Sequence, residues 1–470
     1  MQWFDIHTLV VLALLGLPAI LIAWRQPFWV LSALLLLVPL RDLSIRWMNA
    51  STDLSPDWVN AISRWWFILV LALLVVVTVQ WVMARLKDRN VGKIGIIEVA
   101  FALVILVAVL STFLSPNFSA GFTSLRGYLQ PMAVFVIARV VRPTQKQLKT
   151  LLILVFLIGL LMAAFELWQV TGWTADDYRG RGYLRQNGEL VSPTIKVRGQ
   201  DYIRPTSTVS GPNELGVDML LLLLFAVFGA FSFKGSMRGF AILFIPVFAL
   251  GIIQTYSRSA ILGTVAALLV LILLISKGRV AAIKGNVDRV SRSYLFGIIG
   301  LVLMGIVALY LTGTMQRMGR TVANLSGEYH IVDSVRALEY LAINPAGVGM
   351  GMVEPKGALL LIDSGGLYHV EGSLFQIAME MGVWGFLIWV LFWGACLIRL
   401  WRQWSGLNDP LKQVWTGATI TGWIGALVAF LFLPLMQSIS LMVWLWFMLG
   451  LALQFIPQPV SRQYIASDPA

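Results

Sequence analysis

Arg258 stands in Gln254-Thr255-Tyr256-Ser257-Arg258-Ser259-Ala260, between two uncharged apolar runs, 239–253 and 260–276. An arginine fixed between two membrane-length segments costs roughly 2.5–3.5 kcal/mol on insertion scales unless it reaches water or an anion. A cost of that size implies a task. A guanidinium at a membrane surface is suited to hold an anion, because its planar fork pairs with phosphate oxygens two at a time. The plainer alternative is a tight hairpin whose arginine snorkels to the headgroups.

Two further constellations could do chemistry. The first is Arg204-Pro205-Thr206-Ser207-Thr208-Val209-Ser210-Gly211-Pro212-Asn213-Glu214-Leu215-Gly216. Gly-Pro-Asn starts a helix: Pro212 suits the first turn and Ser210 is placed to cap it. This is either a well-made helix start or, with Arg204 beside it, a set of free N–H donors for an anion. The second is the end of a long polar stretch, Gly366-Leu367-Tyr368-His369-Val370-Glu371-Gly372-Ser373. In extended chain His369 and Glu371 face one side, and either is suited to take a proton from a hydroxyl. The plain readings are a surface histidine and a glutamate favoured by a helix start. Arg317, Arg320 and Arg336 in the same stretch are candidate phosphate ligands or simply solvated.

Such residues need elements to hold them, and composition says which. Of 470 residues, 58% are hydrophobic and 12% charged, and mean hydropathy is +0.81. A soluble domain carries about twice that charged share. Apolar runs of spanning length recur near 8–24, 28–45, 65–83, 94–114, 126–143, 148–170, 212–233, 239–256, 259–276, 294–313, 374–400, 415–436 and 440–456. The expectation is an all-α polytopic membrane protein of about 12–13 transmembrane helices. Arg25 and Pro27 interrupt the first two runs, which read as two spans, a hairpin or a re-entrant pair. No cleavable signal peptide is expected, since Asp5 replaces a basic start and no small-residue cleavage site follows. Cys396 lies in an apolar run and reads as a buried thiol.

The net charge of +12 could suit nucleic acid or anionic lipid, but its placement argues for topology instead. Short basic connectors hold Arg85, Lys87, Arg89 and Lys93, then Arg139, Arg142, Lys146 and Lys149, then Lys234 and Arg238. Lys277, Arg279, Lys284, Arg289, Arg292, Arg399, Arg402 and Lys412 continue the set. Their alternation with other loops places them in the cytoplasm. Two long loops, 171–211 and 314–373, then lie outside, with 41–64 a short outer loop. Residues 1–470 read as one integral membrane domain. Loops this long more often carry function than mere connection. A surface helix is expected over 336–343, broken by Pro345 and the following glycines. Glu166 and Glu380, inside spans, should face protein or water. No Walker loop is present, and three histidines with one cysteine give no zinc spacing, so no cofactor and no metal are expected.

Four segments, in order, resemble the O-antigen ligase and polymerase family of bacterial envelopes. Ser210-Gly211-Pro212-Asn213-Glu214-Leu215-Gly216 resembles the family's Asn-Pro-Asn-like helix start. Tyr256-Ser257-Arg258-Ser259-Ala260-Ile261-Leu262-Gly263 resembles its Ser-Arg-Gly/Ser signature. Arg336 with Asn344-Pro345-Ala346-Gly347-Val348-Gly349-Met350-Gly351 resembles the helix and glycine turn of its large outer loop. Phe375-Gln376-Ile377-Ala378-Met379-Glu380-Met381-Gly382-Val383-Trp384-Gly385 resembles the span that follows. The likeness covers about 200–390.

The resemblance implies a C-type glycosyltransferase in the bacterial inner membrane, multi-pass, with its active site facing the periplasm or exterior. Its donor would be an undecaprenyl-diphosphate-linked glycan. Its acceptor would be another glycan (polymerase) or lipid A core (ligase). Membrane lipids, and a chain-length regulator protein, are the other partners implied; nucleic acid is not. Arg258, Arg336 and Arg204 would bind the diphosphate, supported by Ser257, Asn213 and Tyr256. His369 or Glu371 would be the catalytic base. Ligases usually carry His-Asn where the last outer loop enters its span; here that histidine position holds Glu371, with His369 two residues earlier. This departure favours the polymerase. A lipid-glycan flippase, the rival of another class, should show repeats between halves and broken spans at the midplane, and neither is evident. A structural scaffold would leave Arg258 no anion to hold.

Overall fold

The computed structural model describes residues 6–51, 55–87, 95–183, 190, 194–197, 200–276, 325–353, 370, 372–404 and 406–455. The expected span 294–313 lies outside them, as do Arg317, Arg320, His369 and Glu371.

The described chain is overwhelmingly helical. α1 (Ile6–Arg25) and α2 (Pro27–Ala50) are two rods broken at Gln26, whose φ of −141° and ψ of 62° are not helical. Pro27 causes this, because a proline disfavours helical geometry in the residue before it. The first pair is therefore two long helices. The loop expected over 41–64 is corrected: α2 runs on through Arg46, and α3 (Pro56–Ser63) follows. The reason is tertiary. Leu43 N donates to Thr208 O at 3.1 Å, docking the end of α2 on the 204–210 segment.

α4 (Trp65–Lys87), α5 (Ile96–Phe113), α6 (Phe118–Val140) and α7 (Gln145–Gly172) follow. α6 begins well before the expected 126, because the Asn117 side chain caps it by accepting from Ala120 N. α8 (Ala175–Gly180) and an antiparallel pair, β1 (Thr194–Val197) with β2 (Gln200–Ile203), occupy the first long loop. α9 (Pro212–Ser232), α10 (Gly235–Gln254) and α11 (Arg258–Ser276) form a compact trio. α12 (Leu325–Ile343) contains the expected surface helix and extends it. α13 (Ser373–Trp404), α14 (Pro410–Phe430) and α15 (Ile439–Gln454) complete the bundle. The expected run 415–436 is corrected. α14 stops at Phe430, since Pro434 cannot supply the next helical N–H and crowds the carbonyl four residues back.

Eight described helices are long and apolar enough to cross a membrane, α11 and α15 are shorter apolar ones, and α6 and α14 match a span in length. α9 is the axis: almost every side chain on it is buried, whereas the outer helices expose one face. Glycines let neighbours close on this axis. A Cβ on Gly216 would lie 2.7 Å from that of Ala260, and one on Gly263 would lie 2.5 Å from Gly425 O.

The helices alternate in direction, so their connectors fall at two ends. One end gathers basic residues: Arg139 pairs with Glu98 at 2.6 Å, Gln454 Nε2 donates to Arg139 O, and Gln145 donates to Asp409. The other end gathers 41–51, 55–64, 173–183, 200–211, 255–257, 343–353, 372–373 and 431–438.

Candidate functional site

The turn joining α10 to α11 presents Arg258. Tyr256 in this turn has φ 51°, in the left-handed region that non-glycine residues seldom adopt. Residues held there cluster at functional sites, where surrounding contacts enforce the conformation. Here the Tyr202 ring packs on Tyr256, centroids 4.9 Å apart, and Tyr202 OH donates to Gln254 O at 3.1 Å. Ser257 N donates to Thr255 Oγ1 at 3.2 Å, and Ser257 Oγ accepts from Ala260 N at 3.4 Å. Arg258 is thus the first residue of α11, a cation over the positive end of a helix. It is half-buried, and among the described residues its guanidinium makes no hydrogen bond or ion pair.

Arg204 reaches the same turn from the β2 side. Its Nε donates to Thr255 O and its Nη2 to Asn213 Oδ1, both at 2.7 Å. Burial, and after it the positive charge of Arg258, pull its pKa down to about 10. The two guanidiniums therefore share one field. Such a pair is a ready site for an anion that bridges both.

Arg336 is exposed on α12 and likewise makes no hydrogen bond or ion pair among the described residues. Its neighbours Ala337 and Leu341 pack with Val353, Val370, Ala378 and Met379, which sets Arg336 on the element beside the loop exit at 370–373. That exit is firmly held. Ser373 N and Oγ donate to Leu433 O at 3.0 and 2.7 Å, and Ser373 Oγ accepts from Met436 N at 3.0 Å. His369 and Glu371 flank Val370 immediately before this clamp, outside the described residues.

The helix start at 210–216 differs from expectation. Gly211 is the N-cap, and Ser210 turns its hydroxyl to Glu214 instead. Glu214 also accepts from Ser210 N at 3.2 Å and from Ser438 Oγ. Glu214 thus sets a carboxylate beside this helix start. Asn213 and Arg204 hold each other and frame the turn.

Other buried polar residues surround the site. Arg46, 8% exposed, donates to Thr206 Oγ1 at 3.3 Å and to Ser210 O at 2.9 Å, and lies 4.3 Å over the Tyr183 ring. It braces the segment that carries Arg204. Glu214 and Asp218, one turn apart in an apolar helix, carried the usual signal of intramembrane carboxylates. Glu166 faces protein as expected: a Cβ on Gly251 would lie 3.0 Å from its Oε2. Glu380 accepts from Ser124 Oγ, Tyr128 OH and Gly351 N at 3.1, 2.9 and 3.0 Å, pinning the glycine turn against α6. Among the described residues no three His, Cys, Asp or Glu side chains gather as a metal set.

Residues 240–390 match the O-Antigen ligase family model. The likeness to that family covers this stretch of the chain. It includes Arg258, Arg336, the glycine turn and Glu380, and leaves Arg204, Asn213 and Ser438 outside. No curated protein matches the chain at a significant level.

Proposed function

We propose that the protein transfers a glycan from a polyprenyl diphosphate, of the undecaprenyl kind, to a sugar hydroxyl at the outer face of the bacterial inner membrane. The single observation that carries this is the Arg204–Arg258 pair, two guanidiniums at one turn within range of each other's charge. A diphosphate offers oxygens to both, and guanidinium forks suit it. Arg336, on the helix beside the loop exit, is the third cation of the reading. Ser257, Asn213 and Tyr256 shape the turn and act through the arginines.

In the proposed reaction His369 or Glu371 takes the acceptor's hydroxyl proton. The oxygen forms a bond to the anomeric carbon as the bond to the diphosphate oxygen breaks. The electron pair leaves with the lipid diphosphate, whose growing negative charge the arginines stabilise. A direct displacement inverts the anomeric centre. No cofactor or metal enters this scheme.

The Glu371 departure favours a polymerase that joins repeat units of O-antigen or exopolysaccharide. The description of the matching family favours a second reading, a ligase acting on lipid A core. Product size separates them. A polymerase gives a ladder of glycan lengths that vanishes in Arg258→Ala, whereas a ligase gives a shift of lipid A core that vanishes. An unchanged product in Arg258→Ala, with the protein present in the membrane, refutes both.

A further inference from the structure

The break between α14 and α15 lies outside the matched stretch, yet it touches both halves of the candidate site. Pro434 interrupts the helical ladder here, and the freed main-chain groups need partners. Leu433 O and Met436 N find theirs on Ser373, at the loop exit. A Cβ on Gly372 would lie 2.4 Å from Leu431 O, so the two segments meet backbone to backbone.

The side chains of Gln437 and Ser438 then diverge to different carboxylates. Ser438 Oγ donates to Glu214, the residue after Asn213, whose side chain holds Arg204. Gln437 Nε2 donates to Ser124 Oγ at 3.2 Å, and Ser124 donates to Glu380 Oε1 at 3.1 Å. The same Glu380 oxygen accepts from Gly351 N, in the glycine turn that ends α12's excursion. Glu214 and Glu380 are both buried. Hydrogen bonds to buried carboxylates are short and directional, so they fix relative position more firmly than apolar contact does.

We propose that the 431–438 break, through Gln437 and Ser438, is a positioning hub for glycan transfer. It sets the guanidinium arm, Arg204 and Arg258, against the loop exit at Gly372 and Ser373. Neither residue touches substrate. The inference rests on the reading under Proposed function and deepens it, because transfer rates depend steeply on the separation of the groups brought together.

Ser438→Ala and Gln437→Ala, in the full chain in native membranes, test it beside Arg258→Ala. The donor is a polyprenyl-diphosphate glycan extracted from the source membranes, and initial rates are followed against its concentration. The hub requires kcat to fall by about tenfold or more in each variant, with the donor KM within about twofold of wild type. Membrane abundance and thermal unfolding should stay unchanged, and Ser438→Thr, which keeps the hydroxyl, should restore the rate. Wild-type kcat in both alanine variants, beside an inactive Arg258→Ala, overturns the hub. So does a loss that tracks loss of folded protein and is not restored by Ser438→Thr. Full activity of Arg258→Ala instead rejects the diphosphate reading itself, so the two failures are distinct.

Discussion

At the scale of single residues, charge and hydrogen-bond geometry separate the two arginines of the turn. Arg204 spends Nε on Thr255 O and Nη2 on Asn213, so it is a strut as well as a charge. Arg258 has neither tie among the described residues and remains available to a ligand. On the proposed reading Arg258→Lys keeps the charge but loses the fork. Its kcat/KM for the lipid-linked donor should fall by roughly a hundredfold, the scale of one or two charge-assisted bonds. A lysine variant as active as wild type would show that charge alone suffices. Arg204 adds a pH dependence. Its pKa is depressed to about 10 by burial and by Arg258, so the folded, donor-free protein keeps the charge at neutral pH and loses it as pH rises through that value. Donor kcat/KM, which reports groups of the free enzyme, should hold between roughly pH 7 and 9 and fall toward pH 10. A profile flat through that limb means that the Arg204 guanidinium keeps its proton there. Arg258 was legible in the sequence because a lone charge between apolar runs is anomalous. Arg46 was not, since its partners at 183, 206 and 210 are remote in sequence.

At the scale of elements, the helix carrying Arg258 is placed by small residues rather than by large ones. α11 crosses α14 at Gly263 and Gly425, where each would-be Cβ falls on the other's carbonyl oxygen, at 2.5 and 2.8 Å. Those atoms are backbone and cannot swing aside. Gly425→Ala must therefore push the helices apart, at a cost of about 1–3 kcal/mol for an overpacked core. It should lower the thermal unfolding midpoint in detergent by several degrees and slow transfer in parallel; a variant with unaltered midpoint would mean that the crossing is loose. The sequence showed most helices, because long apolar runs admit one structure in lipid. It hid the features that depend on partners. The helical course of 41–51 is set by docking on Thr208, and the four-residue strands of the first long loop are too short to announce themselves. The break at 431–438 begins inside the expected run 415–436, where Pro434 marks it and Gln437 and Ser438 follow.

At the scale of the whole molecule, two populations of polar residues segregate. Arg139, Lys146, Lys149, Lys234, Arg238, Arg399, Arg402 and Lys412 mark one end of the described bundle. Arg204, Arg258, Arg336 and the loop exit mark the other. Basic residues in short connectors mark the cytoplasmic side, so the candidate site should face outward, where an acceptor glycan would be met. The only cysteine in the chain, Cys396, is buried, and this makes the orientation directly measurable. In a Cys396→Ser background, Ser55→Cys and Ser236→Cys each place one thiol at an exposed position, at the site end and the basic end respectively. A membrane-impermeant maleimide added to spheroplasts should label the first, and should reach the second only after permeabilisation. The reverse pattern would put the arginines on the cytoplasmic face. An acceptor on the outer surface could then not reach them, and the proposed transfer would fail whatever the turn looks like in detail.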